Sequence, residues 1–447
     1  MASVQPIHTM ERRELAAPSP VSPTMKRLPL LLIVLAGCRP DAVAPAMDAA
    51  ARPAASSTDA APAAPVTWTA RTITGCELRF ADAPDRVTAD LGWQPCTAST
   101  LSAKACRELT TTQPAPQQML YAVGARAAGA TMLFVRVAGL PDGAERYVLG
   151  PPVGPPRLVL TTRCASHAAP GTMAIGADGA ALEIHGPAGE TSFLAGPFTT
   201  DAAWQAPAAS FGPTEFGEVI LGAPPAVADR SIRAVDARMR VFRSTPSTGA
   251  FKTWPVGSQF RVGLEQAVAR GDTTLFLSES IPEVIGAQIG AAAPAAWYTA
   301  PAGGGVSAPA IDDATVYVLV GAGRDKNNGY TSVEVFSAPL PTSTPAAPAA
   351  LRRVGATSLH AMDAPIAGAG HVAWRVWLDP DHTAVDVLDV ASSRRVRFTP
   401  PPRRRVGRLV YVDDAELAVV VVDAANRSMT APTWTWRVRL DALPSAP

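Results

Sequence analysis

Apolar and polar residues change places in short runs along most of this chain, and from about residue 119 onward the runs are separated by Gly-, Pro- and Asp-rich turns. Arg238-Met239-Arg240-Val241-Phe242-Arg243 alternates at every position, the period of a strand with one wet face. Thr315-Val316-Tyr317-Val318-Leu319-Val320 and Leu417-Ala418-Val419-Val420-Val421-Val422 are almost wholly apolar, as strands buried on both faces are. No window of helical period stands out in this region. The 44 prolines and 34 glycines among 447 residues agree with many short strands, because both residues interrupt helices and mark turns.

The runs repeat. IDDATVYVLV at 311–320 aligns with VDDAELAVVV at 412–421 as a turn, a small residue and a buried strand, and AGAGHVAWRV at 367–376 fits between them. RGDTTLFL, ADRSIRAV, ADGAALEI and AGATMLFV are earlier, weaker copies. Their turns fall at positions 128, 178, 228, 271, 312, 368 and 413, between 41 and 56 residues apart, the length of one four-stranded unit. Further strands follow the later turns at Val333–Phe336, Val385–Leu388 and Arg394–Phe398. The last repeat ends in Trp434-Thr435-Trp436-Arg437-Val438-Arg439-Leu440 and has room for three strands. Its fourth is expected from the N-terminal segment Val66-Thr67-Trp68-Thr69-Ala70-Arg71, which removes an open sheet edge.

This pattern resembles β-propellers, and SAPAIDDATVYVL with TSVEVFSAPL resembles the propellers of bacterial envelope lipoproteins. The resemblance implies an all-β fold over residues 66–447, with seven blades favoured over six or eight. The irregular spacing keeps tandem β-sandwiches as the alternative. WD, kelch and Asp-box signatures are absent, so no propeller family is assigned.

The N-terminus reads as an address. Lys26-Arg27 precede an apolar run of about ten residues from Leu28, half the roughly 20 that span a bilayer, and the run ends in small residues. Leu35-Ala36-Gly37-Cys38 resembles the lipobox of bacterial lipoproteins. That resemblance implies a signal peptide over 25–37, diacylglycerol on the Cys38 thiol and cleavage just before it. Residues 1–24 then read as a mis-called start or an extended leader. Arg39, where Asp favours inner-membrane retention in the family, points to the outer membrane. Residues 38–65 are almost entirely Ala, Pro, Ser, Thr and Asp, a tether that reaches up to roughly 80 Å if extended.

Setting Cys38 aside leaves an even set of cysteines in an exported chain, which predicts two disulfides. Cys96 and Cys106 close a short loop, which favours pairing them and joining Cys76 to Cys164, a stapled region over about 66–118. Zinc spacing is absent, and no metal or cofactor is expected.

Candidate chemistry is sparse. H-E-x-x-H, the phosphate-binding P-loop and the G-x-S-x-G elbow are all missing. Asp325-Lys326-Asn327-Asn328-Gly329 and Asp379-Pro380-Asp381-His382 read as turns, and His185, His360 and His371 as core or surface residues. Trp374, Trp377, Trp434 and Trp436 either fill space between blades or line a sugar site. Arg394, Arg395, Arg397, Arg403, Arg404, Arg405 and Arg408 form a basic cluster, a candidate grip on an anionic polysaccharide, lipid phosphate or acidic protein, set against a plain solvated strand and loop. A net charge of +1 and the lack of interleaved aromatics argue against nucleic acid.

The expectation is a monomeric, non-catalytic envelope lipoprotein, held to the membrane by its lipid, whose propeller presents a binding surface to a protein or glycan. The alternative is a propeller hydrolase or lyase. That reading requires two or three of Asp312, Asp313, His360, Asp363, His371, Asp413 and Asp414 to meet at one channel mouth.

Overall fold

A computed structural model describes residues 65–447 apart from the intervals 88–90, 98, 112–118, 128, 141–142, 177, 199–203, 205–206, 213–225, 229–230, 237–239, 245–250, 256–259, 261–263, 279–281, 325–329, 358–362, 380–381 and 426–432. Cys38, the lipobox, the tether, the 325–329 loop and His360 lie outside the described residues.

The strands form seven antiparallel sheets. Their innermost strands are, in chain order, Met119–Ala127, Ala169–Ile175, Ala226–Ala228, Leu264–Arg270, Ala310–Asp312, Ile366–Gly368 and Arg404–Val412. Each touches the next, and the last touches the first, so the sheets close as the blades of a seven-bladed β-propeller. All seven repeat turns fall at one place in the architecture, between the first and second strands of successive blades. The tandem-sandwich alternative is therefore wrong: the uneven spacing reflects loops of different length within one ring.

Apolar second strands are explained by stacking. Blades cover one another on both faces, so Thr273–Ser278 is buried at all of its positions, and Glu416–Asp423 at Leu417 through Val421. Trp374 packs with Tyr317, Leu319 and Val376 between blades 5 and 6. Trp436 packs with Val385, Val387 and Phe398 between blades 6 and 7.

The ring is closed by an N-terminal strand, but not by the expected one. Cys106–Thr111 pairs with Thr433–Arg439 and completes blade 7, with Leu91–Pro95 outside it. Trp68–Ile73 instead forms a hairpin with Cys76–Ala81 on the outer edge of blade 1. The physical reason is the Cys76–Cys164 disulfide, which joins residues directly opposite in neighbouring strands. Thr74 and Gly75, both at positive φ, then turn the preceding segment back along that same edge. The second disulfide, Cys96–Cys106, ties the loop in front of the closing strand to its first residue. Buried Glu108 locks that strand in place, accepting from Thr97 N (3.1 Å), Thr97 Oγ1 (2.8 Å) and Trp436 Nε1 (2.9 Å). The N-terminal region thus clasps both blades that meet at the chain's seam.

Candidate functional site

The seven innermost strands enclose an axial cavity of about 460 Å³. Because every blade is a meander, the channel has two chemically distinct ends. The hairpin mouth carries the turns between first and second strands. The crossover mouth is where the chain arrives from the preceding blade.

At the hairpin mouth, most of the charge is spent on joining blades, with Arg126 an exception among the described residues. Asp312 Oδ2 accepts the Gly370 N–H of the next blade at 2.7 Å. Arg270 Nη2 donates to Asp313 at 2.8 Å and Arg243 Nη1 to Asp272 at 2.9 Å, again across neighbouring blades. Asp413 accepts from Thr131 Oγ1 (2.7 Å) across the seam, and its other oxygen accepts Ala415 N (3.0 Å) and Glu416 N (2.8 Å) in its own turn. His371 Nδ1 lies 3.0 Å from the Ala369 carbonyl. Backbones also come close here: a Cβ on Gly176 falls 1.8 Å from the Val227 carbonyl oxygen of the next blade. Only a residue without a side chain permits that approach.

Asp363 stands at the opposite mouth, accepting from Arg375 Nε (2.6 Å) and Trp377 Nε1 (3.0 Å). The described members of the proposed catalytic set therefore divide between the two ends, and no two of them share a hydrogen bond. No group of three or more His, Cys, Asp or Glu among the described residues is placed to hold a metal ion.

The crossover mouth has another character. Three guanidiniums lie over aromatic rings: Arg404 over Trp434 at 3.2 Å, Arg408 over Tyr121 at 3.9 Å and Arg375 over Trp377 at 4.9 Å from ring centroids. Arg375 Nη1 also donates to the Gly407 carbonyl at 3.0 Å, tying blade 6 to the inner strand of blade 7. Arg404 Nη1 and Arg405 Nε are buried atoms with no hydrogen-bond partner among the described residues. Tyr121 and Leu378, two of the large side chains that stay exposed, sit on this rim. Arg408 donates to the Tyr121 hydroxyl and to the Ala122 carbonyl. Burial pulls its guanidinium below the ordinary arginine range, and the Tyr121 phenol opposes that shift.

The seven-arginine cluster is divided by the fold. Arg394 lies in the exposed turn before the outer strand of blade 6. Arg397, on that strand, donates to fully buried Asp386 at 2.6 and 2.9 Å, and this contact raises its pKa against the cost of burial. Arg395 lies 3.9 Å from the same carboxylate and donates to the Ala356 carbonyl. Arg403, Arg404 and Arg405 stand at the crossover mouth, and Arg408 lines the channel. The tryptophans divide likewise: Trp374 and Trp436 are core, whereas Trp377 and Trp434 are half-buried at the crossover mouth. Arg126, Arg375 and Tyr121 were missed as site residues. Arg126 and Tyr121 lie on an inner strand and Arg375 near the end of a second strand, so a repeat alignment carried to the end of each blade's first two strands is the signal that finds them.

No family model and no curated protein matches this chain. Among solved structures, it is similar to a prolyl endopeptidase at 10% identity and TM-score 0.49, covering 74% of this chain and 48% of that one. It is similar to a puromycin-hydrolyzing peptidase of Mycobacterium tuberculosis at 13% identity and TM-score 0.38, covering 80% and 58%. YCF48 from Cyanidioschyzon merolae follows at 9% identity and TM-score 0.38, covering 75% and 98%. The chain thus spans about half the length of the two peptidases. At these identities and scores, the likenesses carry no argument about what this chain does.

Proposed function

We propose that this chain is an exported propeller, anchored through a lipid on Cys38 and held off the outer membrane by its tether, that binds an envelope protein or glycan at its crossover mouth without chemical turnover. The observation that supports this reading is the contrast in how charge is used at the two mouths. At the hairpin mouth, Asp312, Asp313 and Asp413 serve as joints between blades. At the crossover mouth, arginines stack on half-buried aromatics beside exposed Tyr121 and Leu378. Aromatic and arginine side chains clustered on a rim are the usual anchors of a binding surface.

Quantitative capture from native membranes tests the reading. The doubly substituted Arg404→Glu, Trp434→Ala chain is expected to lose at least tenfold in recovery of a saturable partner while keeping its thermal midpoint. Unchanged recovery sinks the proposed surface. Replacing Cys38 with Ser is expected to abolish incorporation of labelled fatty acid, and persistent label removes the anchor.

A further inference from the structure

The channel holds two guanidiniums that no carboxylate neutralises. Arg126 has neither an ion pair nor a side-chain hydrogen bond among the described residues, and Arg408 is satisfied by a phenol and a backbone carbonyl. The other charges lining the wall are accounted for. Arg375 is paired with Asp363, Arg270 with Asp313, and Asp312 accepts a backbone N–H. Two unpaired cations against one carboxylate without a cation leave the channel an excess of one positive charge. Burying charge without a partner is costly, and an anion supplied from outside relieves that cost.

The rest of the wall is apolar. Val268, Ile311, Ile366 and Leu409, from four different blades, line the cavity. Arg126 lies five residues, roughly 16 Å of strand, beyond Tyr121, over whose ring the Arg408 guanidinium lies, so the two cationic positions stand apart along the channel. A volume of about 460 Å³ is in the range of small-ligand sites.

The geometry points to the axial channel as a binding site for an amphipathic anion, a carboxylate or phosphate-ester head on an apolar body. The head pairs with Arg408 or Arg126, and the body covers the aliphatic wall between them. This site shares Arg408 with the crossover rim, so Arg126 and Ala269, away from the rim pairs, are the positions that tell the two sites apart.

Titration calorimetry on the mature chain, with probes that share one tail and differ in head charge, tests the assignment. Decanoate and decyl phosphate are expected to bind saturably at one site per chain. Decanol is expected to bind at least tenfold more weakly, and decyltrimethylammonium not at all. Inorganic phosphate separates head from body and is expected to bind at least tenfold more weakly than decyl phosphate. Arg126→Gln, at a half-buried site that no other side chain depends on, should weaken decanoate tenfold or more, as should Arg408→Met. Ala269→Phe narrows the channel without touching either guanidinium and should abolish binding. Arg126→Gln and Ala269→Phe, which leave the rim arginine–aromatic pairs intact, should retain wild-type capture of the rim partner. Equal affinity for decanol and decanoate overturns the charge argument, and tight inorganic phosphate overturns the apolar body. Unchanged affinity in both Arg126→Gln and Ala269→Phe overturns the channel as the site.

Discussion

The two ends of the channel are built from the same seven strands and used in opposite ways. At the hairpin mouth the described turns of blades 2, 4, 5, 6 and 7 share one solution, rich in Gly or Asp, whose polar atoms or bare backbone reach the neighbouring blade. Asp312 to Gly370, Arg270 to Asp313 and Gly176 against Val227 are instances of it. Among the described residues, the crossover mouth has no such regularity. Its arginines and aromatics gather where blades 6, 7 and 1 meet, and exposed apolar side chains remain among them. Regularity marks the end that holds the ring together, and departure from it marks the end free to take on a binding role.

Substitutions that treat the two mouths differently sharpen the comparison. The largest effect is expected at Gly176→Ala, which drives a Cβ into the Val227 carbonyl oxygen of the next blade. Relief requires two blades to part, and a loss of about 3 kcal/mol is expected by chemical denaturation, the upper end of ordinary overpacking. Asp312→Ala removes a buried acceptor from the Gly370 N–H, with an expected loss of about 2 kcal/mol. At the crossover mouth, Arg404→Ala breaks a stack on a half-buried ring, and the expected loss of stability is below about 1 kcal/mol. Destabilisation at Arg404 equal to that at Gly176 breaks the distinction.

The smallest effect concerns acid. The Ser392 hydroxyl and backbone N–H hold Asp389, beside the hairpin mouth, below the ordinary carboxylate value of 3.8. A depressed folded pKa stabilises above the unfolded value, and that contribution disappears as pH falls through the folded one. Stability measured downward from pH 5 should therefore fall less steeply in Asp389→Asn than in the unaltered chain. Because the carboxylate faces solvent in part, the difference is expected to be slight.

The hairpin mouth was legible in the sequence because its demands are local. A tight turn needs Gly or Asp within a few residues, and the strand after it must be apolar to lie between two blades, so IDDATVYVLV and VDDAELAVVV announce themselves. Ring closure was legible only in kind. VTWTAR and CRELTT both alternate as strands should, and which one meets Thr433–Arg439 is decided over more than 300 residues of chain. A local clue to the choice did exist, since pairing Cys76 with Cys164 commits the residues just before Cys76 to the edge of blade 1. The crossover mouth was least legible. Arg394 through Arg408 are contiguous in sequence, yet a strand, a crossover and a second strand carry them to an outer edge, a rim and a channel wall. Tyr121 on the rim, and Arg126 near the other end of the same strand, come from the far side of the chain and show no composition signal at all.

The most direct test of the account places a photo-crosslinking amino acid at Leu378 on the crossover rim, and separately at Val153 in a loop on the hairpin side. Val153 is the more exposed of the two, at 72% against 42%, so chance collisions favour the wrong end. Irradiation of intact cells should give one discrete adduct from position 378 that disappears in the Arg404→Glu, Trp434→Ala background, and none from position 153. The same adduct from both positions, or from position 153 alone, contradicts the assignment of the crossover mouth as the binding end.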